Sequence, residues 1–285
     1  MKNQRVAIVN ASRTPIGKFG GILKNLSAPN LGACVISDVS KTASPNVIQI
    51  DEVIFGNVFQ AGNGPNPARI ASLKAGLPVS IPSMTINKVC GSGLKSIILA
   101  AQSIALGEAN SIVAGGMESM STSPYLVEKV RWGAHSGHKQ LTDTIMSDGL
   151  WDPVIKCYMG NTAENLAQKY EVSREDQDLF ALHSQMRYQN ALTNRKFDSQ
   201  IIPISVSQDS APPILMRNDE PPRPDTTIDS LAGLMPSFIQ NGTVTAGNSS
   251  PLSDGAAAVL VMSQNQVAAF DLKPLAWIEG YVSIG

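Results

Sequence analysis

The sequence predicts an α/β protein in which helices cover a mainly parallel sheet, with a less regular region in the middle of the chain. Three observations carry this. Short Val- and Ile-rich runs alternate with helical patterns through the first 120 residues; near Ser121 the texture changes to Pro, Gly and mixed charge; and an apolar strand pattern returns after the glycine-rich NGTVTAGNSSP. A length of 285 residues suggests about two domains.

The elements follow in order. The runs RVAIVN, IDEVIFGNVF, SMTINKV and SIVAGG read as strands, and LGACVISDVSKTA, NPARIASLKAG and GSGLKSIILAAQSIALGE read as the helices between them. Gly107 supplies a C-terminal stop for the third helix. The stretch STSPYLVEKVRWGAHSGHKQ has no clean period and reads as an extended loop with a purpose of its own. Two helices follow, NTAENLAQKY and SREDQDLFALHSQMRYQNALTNR, the second opened by Ser173 with Asp176 three residues on, a start resembling a capping box. Ser210 to Pro224 is proline-rich and is expected to be irregular. Strands are expected again at AAAVLVM and within PLAWIEGYVSI, and the sequence holds no internal repeat.

A net charge of -1 and a pI near 6.3 give no basic surface of the kind nucleic acid requires. Cys34, Cys90 and Cys157 are scattered without CxxC spacing, so neither a disulfide framework nor a cysteine zinc site is expected, and a reducing compartment fits. MKNQRVAIVN lacks the apolar core and cleavage signal of an export peptide, and no run is expected to approach a membrane span. The expectation is a soluble, cytoplasmic protein with neither nucleic acid nor membrane as partner.

One cysteine stands out. Cys90 lies between a strand pattern and a helix opened by Gly91, Ser92 and Gly93. At a helix N-terminus a thiol faces unpaired N–H groups and the positive end of the helix dipole, which favour thiolate and make a nucleophile. A small packed cysteine flanked by glycines fits the same pattern equally well. A nucleophilic cysteine usually has a nearby base, and the sequence offers only His135, His138 and His183. His183 sits in a helix of mixed character and reads as a solvated or partly packed side chain. His135 and His138 form HSGH, an HxxH pair without a third ligand, which is a weak metal signal. None of the three identifies itself as a partner for Cys90.

The stretch NKVCGSGLKSI resembles the nucleophile motif of the thiolases. ASRTPIGKFGG, GGMESMS at 115–121, SDGLWD at 147–152, MGNTAEN at 159–165 and NGTVTAGNSSPLSDGAAA at 241–258 resemble further thiolase segments in matching order, so the resemblance covers essentially the whole chain. It implies a βαβαβαββ layered fold with an inserted loop domain. Residues 1–120 and 245–270 would form the N-terminal thiolase domain, 121–244 a loop domain for CoA binding and tetramer formation, and 271–285 the start of a C-terminal domain. It implies that Cys90 accepts the acyl group from acyl-CoA and that its N–H is one oxyanion donor. Ser250 would contact the pantetheine arm of CoA, Arg223 would lie beside the adenine with Ser230 on the same nucleotide side, and Met159 would line the acyl pocket. CoA would be a substrate, with no other cofactor and no metal, and the protein would form a homo-oligomer, a tetramer or dimer.

Three departures qualify that resemblance. Tyr158 stands where many short-chain members carry His, which puts one pantetheine contact in doubt, and Pro251 replaces a smaller or more flexible residue. The Asn-Glu-Ala-Phe, Gly-His-Pro and Cys-x-Gly-x-Gly motifs of a second thiolase copy do not occur in these 285 residues. The expectation is therefore a chain truncated before a C-terminal domain on the order of 100 residues, which would carry the general-base histidine and a second cysteine. Two functions stay open: an acyltransferase working through an S-acyl cysteine, or a catalytically incomplete fragment that only binds CoA or a partner. A cysteine hydrolase is a weaker third, for want of a placed histidine.

Overall fold

The computed structural model describes residues 4–42, 49–207 and 212–284. Met1 to Asn3 of the N-terminal reading, Ala43 at the end of the first expected helix, and Ser210 and Ala211 of the expected irregular stretch lie outside these. Along the chain run β1 (Val6–Arg13), β2 (Gly17–Lys18), α1 (Ala28–Thr42), β3 (Glu52–Gly56), α2 (Pro67–Lys74), β4 (Ser83–Ile86), α3 (Ser92–Leu106) and β5 (Ser111–Ser119). The short strands β6 (Tyr125–Val127), β7 (Leu141–Asp143), β8 (Trp151–Asp152) and β9 (Cys157–Tyr158) lead to α4 (Met159–Lys169) and α5 (Arg174–Thr193). Then come β10 (Ile204–Val206), β11 (Ile214–Met216), α6 (Ile228–Ala232), β12 (Ser253–Ser263), α7 (Gln264–Ala269) and β13 (Ala276–Trp277).

Contacts divide the chain into two compact units. The first comprises Met1–Thr122, Gln200–Asn218 and Ser253–Gly285; the second comprises Ser123–Ser199 and Asp219–Leu252. The first holds a sheet in the order β13-β1-β12-β5-β3-β4, with β2 also paired to β12. The sheet is mixed, which corrects the expectation of a mainly parallel one. β3 runs parallel to β4 and β5, whereas β12 lies antiparallel to both β1 and β5, which it separates. Consecutive β-α-β units give the parallel pairs, while β12 enters from a different part of the chain and is free of the crossover rule.

Side-chain alternation along the strands feeds two cores. Val53 and Phe55 of β3, Val113 of β5 and Leu260 and Met262 of β12 join Leu31, Val35, Ile36 and Val39 of α1 and Ala68 and Ala71 of α2. Ile54, Ile112, Ala114 and Val261, one position out of phase, join Ala100, Ala101 and Ile104 of α3 on the other face. Full burial of each large aliphatic or aromatic chain stabilises by about 1.5–3 kcal/mol.

Local signals set the helix ends. Asn66 caps α2 by accepting from Arg69 N–H at 3.1 Å, with Pro67 at the first helical position. α3 stops at Gly107, where φ is +81°, and Glu108 N–H closes the end onto Ser103 O. In the second unit Ser173 caps α5 by accepting from Asp176 N–H.

Two further expectations are corrected. Ile214–Met216, inside the stretch expected to be irregular, is a strand paired antiparallel with Ile204–Val206, and this hairpin belongs to the first unit rather than to a loop region running from 121 to 244. Ile204, Val206 and Met216 are buried in the core on the α1 side, and Arg13 bonds to Gln200 and Ile202, which anchors the segment there. The run Val89–Leu106 has a mean hydropathy of 1.5 over 18 residues, so by length and composition it does approach a membrane span. In the fold its Ala100, Ala101 and Ile104 pack on the sheet.

Candidate active site

In the first unit Cys90 is exposed, on the turn that joins β4 to α3. The turn is tight. Gly91 N–H donates to Lys88 O at 3.1 Å and Ser92 N–H to Val89 O at 3.0 Å, while Val89 holds φ +49°, a left-handed conformation that a β-branched residue avoids. The Ser92 side chain locks this geometry by accepting from Lys88 N–H at 2.8 Å and donating to Val89 O at 2.5 Å. Cys90 is thereby presented just ahead of Gly91, the N-cap of α3, whose first turn has no side-chain cap.

Close backbone approach sets this turn against the sheet. A Cβ on Gly56, the last residue of β3, would lie 2.6 Å from Ser92 Cβ and 2.7 Å from Ser92 C, and one on Gly116 would lie 3.2 Å from Gly93 Cα. Glycine at these positions lets the start of α3 sit on the ends of β3 and β5. The thiol is consequently placed beyond the carboxyl ends of parallel strands, the usual location of a site in an α/β sheet.

Glu118, at the end of β5, organises the loop after β3. Its carboxylate accepts from Asn57 Nδ2 at 2.6 Å, Val58 N–H at 2.8 Å and Phe59 N–H at 3.3 Å. Burial pushes the Glu118 carboxyl above the usual range, the donors from Val58, Phe59 and Asn57 pull it down only in part, and the Asp254 carboxylate adds to the rise. Asp254, itself fully buried, accepts from Ser121 N–H at 2.9 Å and Ser121 Oγ at 2.6 Å.

The second unit contains a groove of about 930 Å³, lined mainly by apolar side chains from α4 and its neighbours, and it brings Tyr158, Met159 and Ser250 together. Tyr158 packs edge-on against Trp151 with ring centroids 4.9 Å apart. Phe238 reaches the groove over Gly160, where a Cβ would lie 2.3 Å from the ring. Ser250 closes a loop held from behind. Glu164 accepts from Thr243 N–H at 2.9 Å, Thr243 Oγ1 at 2.9 Å and Val244 N–H at 2.8 Å. Burial raises the Glu164 carboxyl, but these donors outweigh it and hold the group below the usual range. Asp178 accepts from Asn248 Nδ2 at 2.9 Å and pairs with Arg174 at 2.7 Å, and the Arg174 guanidinium also donates to Leu231 O and Leu234 O at the end of α6.

Arg223 and Ser230 are not in this groove. Arg223 is exposed, its N–H donating to Gln185 Oε1 at 2.9 Å. Ser230 is exposed too, and its hydroxyl accepts from Thr227 N–H and donates to Thr227 O as part of the α6 cap. His135, His138 and His183 are exposed and all belong to the second unit. Among the described residues no group of three or more His, Cys, Asp or Glu could hold a metal ion.

Sequence reasoning gave no role to Glu118, Glu164, Asp178 and Asn248, and named Ser92 only as part of the helix start. Glu118 and Glu164 stand inside segments that were singled out, yet nothing local distinguishes a carboxylate that gathers backbone donors from a solvated one, because its partners are distant in the chain.

Residues 6–265 match the family described as thiolase, N-terminal domain. The probable acetyl-CoA acyltransferase of Staphylococcus aureus (strain COL) is 50% identical over 281 residues, which is 99% of this chain and 72% of that protein. Its counterpart in strain NCTC 8325 / PS 47 is 49% identical over the same length. The crystal structure of the Bacillus anthracis acetyl-CoA acetyltransferase superposes with a TM-score of 0.92 at 40% identity, covering 97% of this chain and 70% of that one.

Proposed function

Because the chain belongs to the thiolase family, we propose that it moves acyl groups between CoA and the sulfur of Cys90, condensing two acetyl-CoA to acetoacetyl-CoA or cleaving a 3-ketoacyl-CoA. The observation that carries this reading is the exposed thiol of Cys90, fixed on a stapled turn ahead of an uncapped helix N-terminus. The thiolate attacks the thioester carbonyl, the tetrahedral oxyanion is met by backbone N–H groups, and collapse breaks the C–S bond to CoA, which leaves as a thiol after taking up a proton. In synthesis the α-carbanion of a second acetyl-CoA attacks S-acyl Cys90 and releases its thiolate. In cleavage the Cys90 thiolate instead attacks the 3-keto carbonyl, the C2–C3 bond breaks and acetyl-CoA leaves as its α-carbanion, which takes up a proton; the CoA thiolate then takes the acyl group from Cys90 and releases its thiolate.

The groove of the second unit supports a pantetheine site. Tyr158 supplies an apolar wall, Ser250 a hydroxyl, and Met159, expected to line the acyl pocket, lies in the same groove. Arg223 and Ser230 belong to the same proposal as the nucleotide end, where the exposed Arg223 offers charge for phosphate. All three cysteines are free, which supports a reducing, cytoplasmic setting. The relatives named above are described as acyltransferases or an acetyltransferase, and that does not favour the alternative of a chain that only binds CoA.

The test is intact-mass spectrometry after incubation with acetyl-CoA. One acetyl adduct, lost in Cys90→Ser, is expected. The variants His135→Ala, His138→Ala and His183→Ala, each changing an exposed imidazole, show by loss or retention of the adduct whether any of them serves the thiol. No adduct on the unaltered chain would overturn the reading that it acylates itself.

A further inference from the structure

We propose that Glu164 and Asp178 are positioning residues that set the affinity of the groove for CoA by fixing the Thr243–Ser250 loop, without touching the ligand. The inference rests on the reading of that groove as the pantetheine site.

Neither carboxylate lines the groove. Glu164 lines a second cavity of about 430 Å³ together with Gly242 and Thr243, and Asp178 is 2% exposed and bonded to Asn248. Both act on the loop from outside. Glu164 gathers the N–H groups of Thr243 and Val244 together with the Thr243 hydroxyl, which fixes the loop's entry. Gly242 permits this approach, since a Cβ there would lie 2.3 Å from Glu164 Oε1. Asp178 holds the Asn248 amide, which in turn donates to Thr243 O at 3.0 Å and accepts from Thr245 N–H at 2.8 Å, so the exit is tied to the entry. Ser249 Oγ closes the loop onto Thr245 O at 2.6 Å. Val244, Asn248 and Ser249, so fixed, line the groove together with Ser250, the next residue in the chain.

The arrangement explains two charges that would otherwise be costly. A buried carboxylate is tolerated when several donors converge on it, and here every Glu164 donor and one of the two Asp178 donors come from the loop, Arg174 of α5 supplying the other. Binding to a loop already held in place costs less ordering entropy than binding to a loose one. Glu164→Gln puts an amide N–H against backbone N–H donors while keeping size and shape, so it loosens the entry. Asp178→Asn does the same to the exit and leaves Arg174 without its charge partner.

The experiment combines isothermal titration of CoA with the rate of Cys90 acetylation as a function of acetyl-CoA concentration, in unaltered protein, Glu164→Gln, Asp178→Asn, Ser250→Ala and Glu164→Gln/Ser250→Ala. Losing charge-assisted bonds to the loop should raise the CoA Kd and the half-saturating acetyl-CoA about tenfold, with the maximal acetylation rate within about twofold. Glu164→Asp should recover part of the loss. The double variant should be weaker than Ser250→Ala by much less than tenfold, because both changes act through one contact. A folded Glu164→Gln with unchanged Kd, while Ser250→Ala binds weakly, overturns the proposal. Unchanged Kd in Ser250→Ala overturns the reading of the groove instead. Should Glu164→Gln unfold, Thr243→Val removes the hydroxyl's bond to Glu164 together with the one it accepts from Gln177 Nε2, and a Kd unchanged by it overturns the proposal as well.

Discussion

Ser92 Oγ donates to the carbonyl of Val89 at 2.5 Å while Val89 holds φ +49°, so the side chain that opens α3 also restrains the strained residue beside Cys90. A non-glycine residue in that region costs about 1–3 kcal/mol and persists only where its surroundings hold it. Ser92→Ala removes both the donor to Val89 O and the acceptor for Lys88 N–H. Alkylation of Cys90 by iodoacetamide should slow about tenfold, as expected when a reacting group is no longer held in place. The thermal midpoint should fall by the equivalent of about 1–2 kcal/mol. An unchanged alkylation rate in a folded variant would show that the turn does not need its serine.

Val89→Gly tests the same turn from the opposite side. Glycine adopts positive φ without steric cost, so relief of strain offsets the entropy it adds to the unfolded chain, and stability should hold or rise. Cys90 should nonetheless alkylate more slowly, because the turn then samples other conformations. Calorimetry beside the alkylation rate separates the two effects. A variant that is both less stable and equally reactive would remove strain from the account.

Gly56→Ala probes the approach of β3 to α3. The new methyl group would meet the Cβ and carbonyl carbon of Ser92 and the N of Gly93 within 2.8 Å, and two of these three are backbone atoms that cannot rotate aside. Overpacking of this kind costs about 1–3 kcal/mol. The displacement falls on the first turn of α3, so urea midpoint and Cys90 acetylation should decline together. Gly20, where an added Cβ has nothing within 4 Å but φ is +69°, should lose stability on change to Ala without losing acetylation.

Two glutamates, the half-buried Glu118 and the buried Glu164, should titrate with opposite sign. Glu118 is raised, chiefly by burial, so its folded form holds a proton to higher pH than its unfolded form. Its contribution to stability is complete below the ordinary carboxyl value and is lost as pH rises through the higher folded value. Glu164 is lowered, because burial is outweighed by the Thr243 and Val244 donors. Its contribution is present above the ordinary value and disappears as pH falls through the lower folded one. Urea unfolding from pH 3 to 7 should therefore show the stability gap between unaltered protein and Glu164→Gln closing toward the acid end. For Glu118→Gln, the unaltered protein should lose stability relative to the variant across the window just above the ordinary carboxyl value. Parallel curves for either pair would contradict the assigned direction.

Most of the first unit was legible because its signals are local. The phase of Val53, Ile54 and Phe55 announces a strand buried on both faces, Asn66-Pro67 announces a helix start, and Gly107 a stop. Cys90 was legible for the same reason, since its strand, its glycines and its helix are all within a few residues. The antiparallel placement of β12 could not be read, because a strand's neighbours depend on where the chain returns from. Nor could the strand Ile214–Met216, where nearby prolines outweighed a three-residue apolar run whose only support is a partner ten residues earlier and the core on the α1 side. Tyr158, Met159 and Ser250 share a groove that was not derivable from spacing, as about ninety residues separate Met159 from Ser250.

An exposed apolar surface in the second unit bears on assembly. Trp132 is 87% exposed in the connection between β6 and β7, and Tyr125 and Leu141, on those paired strands, are 60% and 61% exposed. Scattered apolar residues are ordinary on a protein surface, but exposed aromatic residues on one hairpin and its connection are the residue type enriched in interface cores. We propose that this hairpin carries the contact of the expected homo-oligomer, tetramer or dimer. Light scattering coupled to gel filtration should give a multiple of the 30.2 kDa chain mass for the unaltered protein. Trp132→Asp, which places a charge where the ring would be buried, should shift it to a smaller species without changing the far-ultraviolet circular dichroism. A monomer in the unaltered protein, or an oligomer indifferent to Trp132→Asp, would locate assembly elsewhere.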